Sequence, residues 1–156
     1  MSPTVHVMHG LPASGKSTFA RTLGVFRFNM DDYRAMMGIT PDVWDVDKEA
    51  VAVEAMIAGA KSAILAGHDI VIDNTHVTRH LPQRYKSEFG HLGVQFVVHD
   101  FTEVPIQVCI RRDRERAGSE RVGEEVIDRL ATSLARSRET GWRLTTEWMN
   151  EPTTNN

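Results

Sequence analysis

Nine consecutive residues, Gly10-Leu11-Pro12-Ala13-Ser14-Gly15-Lys16-Ser17-Thr18, carry the densest chemistry in this 156-residue chain. They fit the phosphate-cradling pattern GxxxxGK[ST] in full. Gly10 and Gly15 let the backbone turn its N–H groups toward a polyphosphate. A helix expected to open at Ser17 adds the positive end of its dipole at the same spot. Lys16 has the reach for β- and γ-phosphates, and the Ser17 hydroxyl is a hard oxygen ligand suited to Mg²⁺. The alternative is a Gly-rich turn that fits by chance. Against it, Thr4 to Met8 reads as a buried strand and Ser17 to Leu23 as a helix, the context in which this loop holds a nucleoside triphosphate. ATP or another triphosphate, with Mg²⁺, is the expected donor.

Phosphoryl transfer to an alcohol also needs a base for the hydroxyl proton and cations for the moving charge. Asp31 or Asp32 is placed to supply the base. Arg111, Arg112, Arg114, Arg116 and Arg121 fall within eleven residues, and a helix bearing them can fold over a phosphate site as a lid. Each has a plain rival. Asp31 suits a helix N-cap, Asp73 an Asx turn, and Arg34 an ordinary surface position. The arginine run, interleaved with Asp113, Glu115 and Glu120, also reads as a solvated helix face.

The elements that would hold these groups alternate between strand and helix periods, which points to an α/β fold with a parallel sheet. Strands are expected at 4–8, 25–29, 70–72 and 94–98. Helices are expected from 17, over 33–37, over 47–66, over 81–91, over 104–116 and over 124–138. Gly38 to Pro41 and Ala117 to Ser119 read as breaks. Val53, Met56, Ile57, Ala60 and Ile64 share one helical face, and Gly67 stops that helix. Thr102 is a candidate cap ahead of Val104-Pro105. Beyond Glu139 the pattern fades; Trp142 and Trp148 are expected to anchor part of a tail over 139–156 whose last residues, 153–156, fray. Ligands of such sheets gather beyond the carboxyl ends of the strands. Those exits carry the phosphate loop, Asp31-Asp32, Asp73-Asn74-Thr75 and His99-Asp100.

Four blocks in this order resemble the P-loop 5′-hydroxyl polynucleotide kinases, the kinase module of enzymes that heal broken nucleic acid ends. They are Gly10 to Thr18, Asn29-Met30-Asp31-Asp32-Tyr33-Arg34, Ile72-Asp73-Asn74-Thr75, and Arg111-Arg112 through Arg116 with the Val126-Ile127 helix after it. The resemblance implies a P-loop kinase fold: a three-layer α/β/α domain over 1–156 with four to five parallel strands and an Arg-bearing helical lid. It implies that Asp31 takes the proton from the 5′-hydroxyl and that Arg34 grips the phosphate of the acceptor's terminal nucleotide. Asp73 then orients the acceptor end, and Arg116 reaches donor phosphate from the lid, with Arg112 one turn earlier on the same face. The chain departs from the family's usual Asp-Thr-Asn or Asp-Asn-Thr-Asn at Asp73-Asn74-Thr75-His76, which leaves Asn74 and His76 without assigned roles.

Composition bounds the alternatives. A net charge of −3 argues against a protein that coats nucleic acid along a broad basic face, though not against a groove for one strand end. No apolar run is long enough to span a bilayer, nothing at the start reads as a signal peptide, and the single cysteine, Cys109, suits a reducing cytoplasm as a small core residue. His76 and His80 stand four apart without a third metal ligand nearby. Asp45-Val46-Asp47 follows no apolar strand and is not a phosphatase motif, so a 3′-phosphatase, like a ligase, is expected on a separate polypeptide. The expected activity is transfer of a γ-phosphate to the 5′-hydroxyl of DNA or RNA. The rivals are a kinase of small-molecule hydroxyls (nucleoside, sugar or antibiotic) and a nonenzymatic nucleotide-dependent switch.

Overall fold

Strands β1 (Thr4–His9), β2 (Phe26–Phe28), β3 (Ile70–Ile72) and β4 (Gln95–Asp100) pair in parallel in the order β2-β3-β1-β4. The structure, a computed structural model, describes residues 2–40 and 42–153. Register aligns Val5 with Ile70 and Phe96, and Val7 with Ile72 and Val98. Because side chains alternate across a sheet, Val5, Val7, Ile70 and Ile72 enter one core while Met8 and Val71 enter the other. Ile70-Val71-Ile72 is wholly buried, as the continuous apolar run requires of a central parallel strand.

The first core lies under α3 (Val46–Leu65), α4 (His80–Phe89) and α7 (Thr146–Asn150). The second lies under α1 (Lys16–Thr22), through Phe19, Ala20 and Leu23. A third cluster joins α5 (Ile106–Arg114) and α6 (Glu124–Glu139) to Leu11 of the phosphate loop. Helices on both faces of a parallel sheet make the three-layer P-loop kinase arrangement expected from the sequence, with four strands. Cys109 is buried in the third cluster.

Helix α3 begins where Asp45 accepts hydrogen bonds from the N–H groups of Asp47 and Lys48, so the Asp45-Val46-Asp47 run is a helix cap. It ends with Gly67 N–H on the Ile64 carbonyl and His68 N–H on the Ala63 carbonyl, the paired closure that a left-handed glycine permits. Gly59 sets how closely the next layer approaches: a Cβ there would stand 2.7 Å from the Tyr33 hydroxyl. Tyr33 belongs to α2 (Met30–Met36).

Three boundaries correct the sequence reading. Helix α2 starts three residues early because Asn29, not Asp31, is its cap and accepts the Asp32 N–H. Helix α5 starts at Ile106, and Thr102 does not cap it; Thr102 bonds to the Asp100 carboxylate instead. The tail contains α7, a helix the fading periodicity hid. Its Asn150 side chain accepts the Phe96 N–H and donates to the Phe96 carbonyl, both at 2.9 Å, and Thr146 Oγ1 accepts the Val98 N–H. Trp142 is buried and Trp148 packs against it edge-on, as expected of the anchors. Pro41 and the fraying expected at 154–156 lie outside the described residues.

Candidate active site

The turn from β1 into α1 is built so that only glycine fits at its entrance. Gly10 has φ +156°, and a Cβ would meet Phe101 Cβ at 2.9 Å and Ser14 Oγ at 3.0 Å. Its N–H donates to the Thr75 carbonyl at 3.0 Å, and Phe101 N–H donates to the His9 carbonyl, so neighbouring strand exits clamp the loop. Ala13 and Gly15, at φ +62° and +105°, turn the backbone around the phosphate position; Pro12 and Ser17 are half-buried and Thr18 is exposed. Lys16 is buried with Nζ donating to the Leu11 carbonyl at 2.7 Å. Burial lowers its pKa to about 8; Asp73 and Asp31 act upward and Arg116 further downward. Asp31, Asp73 and Arg116 therefore all stand within electrostatic reach of the phosphate-loop lysine.

The exits of β2 and β3 are stitched together. Asn29 donates its amide to the Asp73 carbonyl, and Asn74 Oδ1 accepts the Met30 N–H at 2.9 Å. Arg27 ties Asp73 Oδ2 at 2.7 Å to Asp32 at 3.2 Å. The two acids of the first turn of α2 thus face different partners. Asp32 turns to Arg27, while Asp31, 81% exposed, meets Arg34 at 2.9 Å. Arg34 in turn donates Nε and Nη2 to Glu49, at 2.9 and 2.7 Å, and that pairing is the first reason its pKa is raised. Asp31 is no cap, and Asp73 bonds to Arg27 rather than closing an Asx turn.

Asp73 Oδ1 is buried without a hydrogen-bond partner, as is Ser14 Oγ. An orphaned carboxylate oxygen after an apolar strand, beside a loop carrying the Ser17 hydroxyl, is the hard oxygen set that suits Mg²⁺. Among the described residues no group of three His, Cys, Asp or Glu forms a metal cage. His76 is buried, with Nδ1 on the Met8 carbonyl and Nε2 2.9 Å from the Tyr85 hydroxyl. Burial first of all lowers its pKa to about 4, and its place is structural.

The arginine cluster divides. Arg112 Nη1 donates to the Ser14 carbonyl at 3.3 Å, on the phosphate loop itself. Arg116 lies past the end of α5, near Asp113 at 3.9 Å and the Glu120 carbonyl at 3.4 Å. The two are therefore not on one continuous helical face, a correction caused by α5 stopping at Arg114. Buried Asp113 accepts the N–H groups of Val122 and Gly123 at 3.0 and 2.9 Å, pinning the turn into α6. Arg114 pairs with Glu124 and Arg121 bonds to backbone carbonyls of that turn, so these two hold the shape of the connection between α5 and α6.

The sequence from residue 5 to residue 137 matches the AAA domain family. The chain belongs to that family. No curated protein sequence matches it. Among solved structures, a chain of the Pnkp1/Rnl/Hen1 RNA repair complex is similar with TM-score 0.73 at 23% identity, covering 88% of this chain and 46% of that one. The Mycobacterium tuberculosis APS kinase CysC, in complex with AMPPNP and APS, is similar with TM-score 0.55 at 21% identity over 72% and 69% of the two chains. The Deinococcus radiodurans tunicamycin resistance protein is similar with TM-score 0.56 at 20% identity over 96% and 94%. These likenesses give the fold, that of P-loop kinases. This AAA-family domain spans less than half the length of the RNA-repair chain.

Three residues that hold the candidate site together have no role in the sequence analysis above. Arg27 sits in a strand where alternation alone gives no sign of its carboxylate partners. Asn29 belongs to one of the four blocks, but its role as the α2 cap is hidden because it ends what reads as a strand. Glu49 meets Arg34 from fifteen residues away, beyond any local pattern.

Proposed function

We propose that this domain transfers the γ-phosphate of ATP or another nucleoside triphosphate to the 5′-hydroxyl of a DNA or RNA end. The observation that carries the reading is Asp31: an exposed carboxylate, held by Arg34 at 2.9 Å, within electrostatic reach of Lys16. In the reaction the acceptor oxygen bonds to the γ-phosphorus, the bond to the β–γ bridging oxygen breaks, the hydroxyl proton passes to Asp31, and the nucleoside diphosphate leaves. Lys16, Arg116 and the backbone N–H groups of the loop, of which Pro12 has none, absorb charge at the moving phosphoryl. Arg112 holds the loop and donor, Asp73 and Arg34 orient the acceptor, and the Ser17 hydroxyl would hold a Mg²⁺ ion that would supply further charge neutralisation.

Labelled ATP, Mg²⁺ and a 5′-hydroxyl oligonucleotide test the proposal. Label appears at the 5′ end if it holds; no transfer with any donor triphosphate to DNA or RNA overturns it. The likeness to the tunicamycin resistance protein over nearly the full length of both chains favours a second reading, a small-molecule hydroxyl kinase. Faster phosphorylation of a nucleoside or sugar than of any oligonucleotide selects it.

A further inference from the structure

We infer that Trp44 is a stacking platform for the acceptor's terminal nucleobase; the inference rests on the polynucleotide reading above. Trp44 is 58% exposed on the segment between α2 and α3, flanked by exposed Val43 and Val46. An indole left this open costs apolar surface that a core position would recover. Trp44 is held on both sides: Val43 N–H bonds to the Thr40 carbonyl and Oγ1, and Asp45 caps α3 immediately after.

Trp44 is also coupled to the candidate base. The Arg34 guanidinium stands 5.8 Å from the indole centroid, within cation–π reach, and the same guanidinium holds Asp31 at 2.9 Å. Asp31, Arg34 and Trp44 thus form one continuous line of contacts, with the indole two contacts away from the carboxylate that would meet the acceptor's 5′-hydroxyl. Charge decides which part of the acceptor lies here. Asp42, Asp45 and Asp47 lie within three residues of Trp44 along the chain, an acidic stretch that disfavours a phosphate backbone and leaves the uncharged face of a base as the moiety that fits. Stacking of this kind tolerates any base, which suits an enzyme acting on ends of varied sequence.

Tryptophan emission titrated with a 5′-hydroxyl dinucleotide, without donor, reads the contact directly. Quenching in the wild type that is lost in Trp44→Phe emission and lost when the 5′ nucleotide is abasic supports the platform. Quenching that persists in Trp44→Phe, or none in the wild type, overturns it. In turnover, Trp44→Ala raises KM for a base-bearing acceptor roughly 5- to 150-fold, with kcat little changed. Trp44→Phe recovers most of that loss, and an abasic acceptor shows no difference between the proteins. An equal KM loss on the abasic acceptor also overturns the platform. Absence of any transfer to oligonucleotides rejects the proposed function, whereas the emission titration reports on Trp44 alone.

Discussion

Asp31 and Arg116 approach the same lysine from opposite signs, and their replacements separate two parts of the chemistry. Asp31→Ala is expected to lower turnover by roughly 10²–10⁴ with nucleotide affinity little changed. Arg116→Ala approaches the ~10³–10⁵ losses of arginine fingers. Steady-state rates beside nucleotide titrations check both, and activity within about threefold of wild type removes the role. Lys16 adds a pH dependence. Its pKa of about 8 lies below the ordinary 10.5, so the free loop loses its ammonium as pH rises through 8. Triphosphate affinity is then expected to fall above pH 8, and binding there takes up a proton, measurable by calorimetry in buffers of different ionisation enthalpy. For the empty protein the sign is opposite: between 8 and 10.5 the unfolded chain holds more protons, so this group favours folding increasingly with pH. Lys16 was legible because its motif is contiguous. The Arg27–Asp73 and Arg34–Glu49 partners were not, since only folding brings them together.

At the scale of elements, the fit between α2 and α3 governs where Asp31 points. Alanine for glycine inside a helix ordinarily gains about 0.5–1 kcal/mol. Gly59→Ala is expected to lose stability instead, by roughly 1–3 kcal/mol, because the added Cβ meets the Tyr33 hydroxyl at 2.7 Å. Urea unfolding should show that loss, and adding Tyr33→Phe should recover most of it. Turnover should fall with the single change, since α2 carries Asp31. The body of α3 was legible from its apolar stripe and Gly67. The start of α2 was not, because Asn29 caps it from what reads as strand. Helix α7 was hidden because its five residues are too few for a period and are held by side-chain bonds to β4.

For the whole molecule, burial lowers the pKa of His6, His9, His76 and His99 alike. Each prefers to stay neutral when folded, so stability is complete above the ordinary histidine value and is lost as pH falls below it. His76 has the clearest window, from 6.5 down to about 4. Protonating it removes on the order of 3 kcal/mol at the lower end. Denaturant midpoints measured across that window should fall steadily. His76→Asn, which tolerates the left-handed backbone at φ +50°, should flatten the curve. The layered parallel sheet was legible from alternating periods, as was the rim where the strand exits meet.

The Asn150 amide occupies a place on the outer rim of β4 that another chain's backbone would need. Its two bonds to Phe96 imitate a neighbouring strand, and Thr146 fills the next position along. With Phe96 and Val98 of β4 already bonded by α7, the opposite edge that the described residues offer an intruding strand is the three residues of β2. That is too short a template for stable β-addition, so copies of this chain that meet must do so through side chains rather than by extending the sheet.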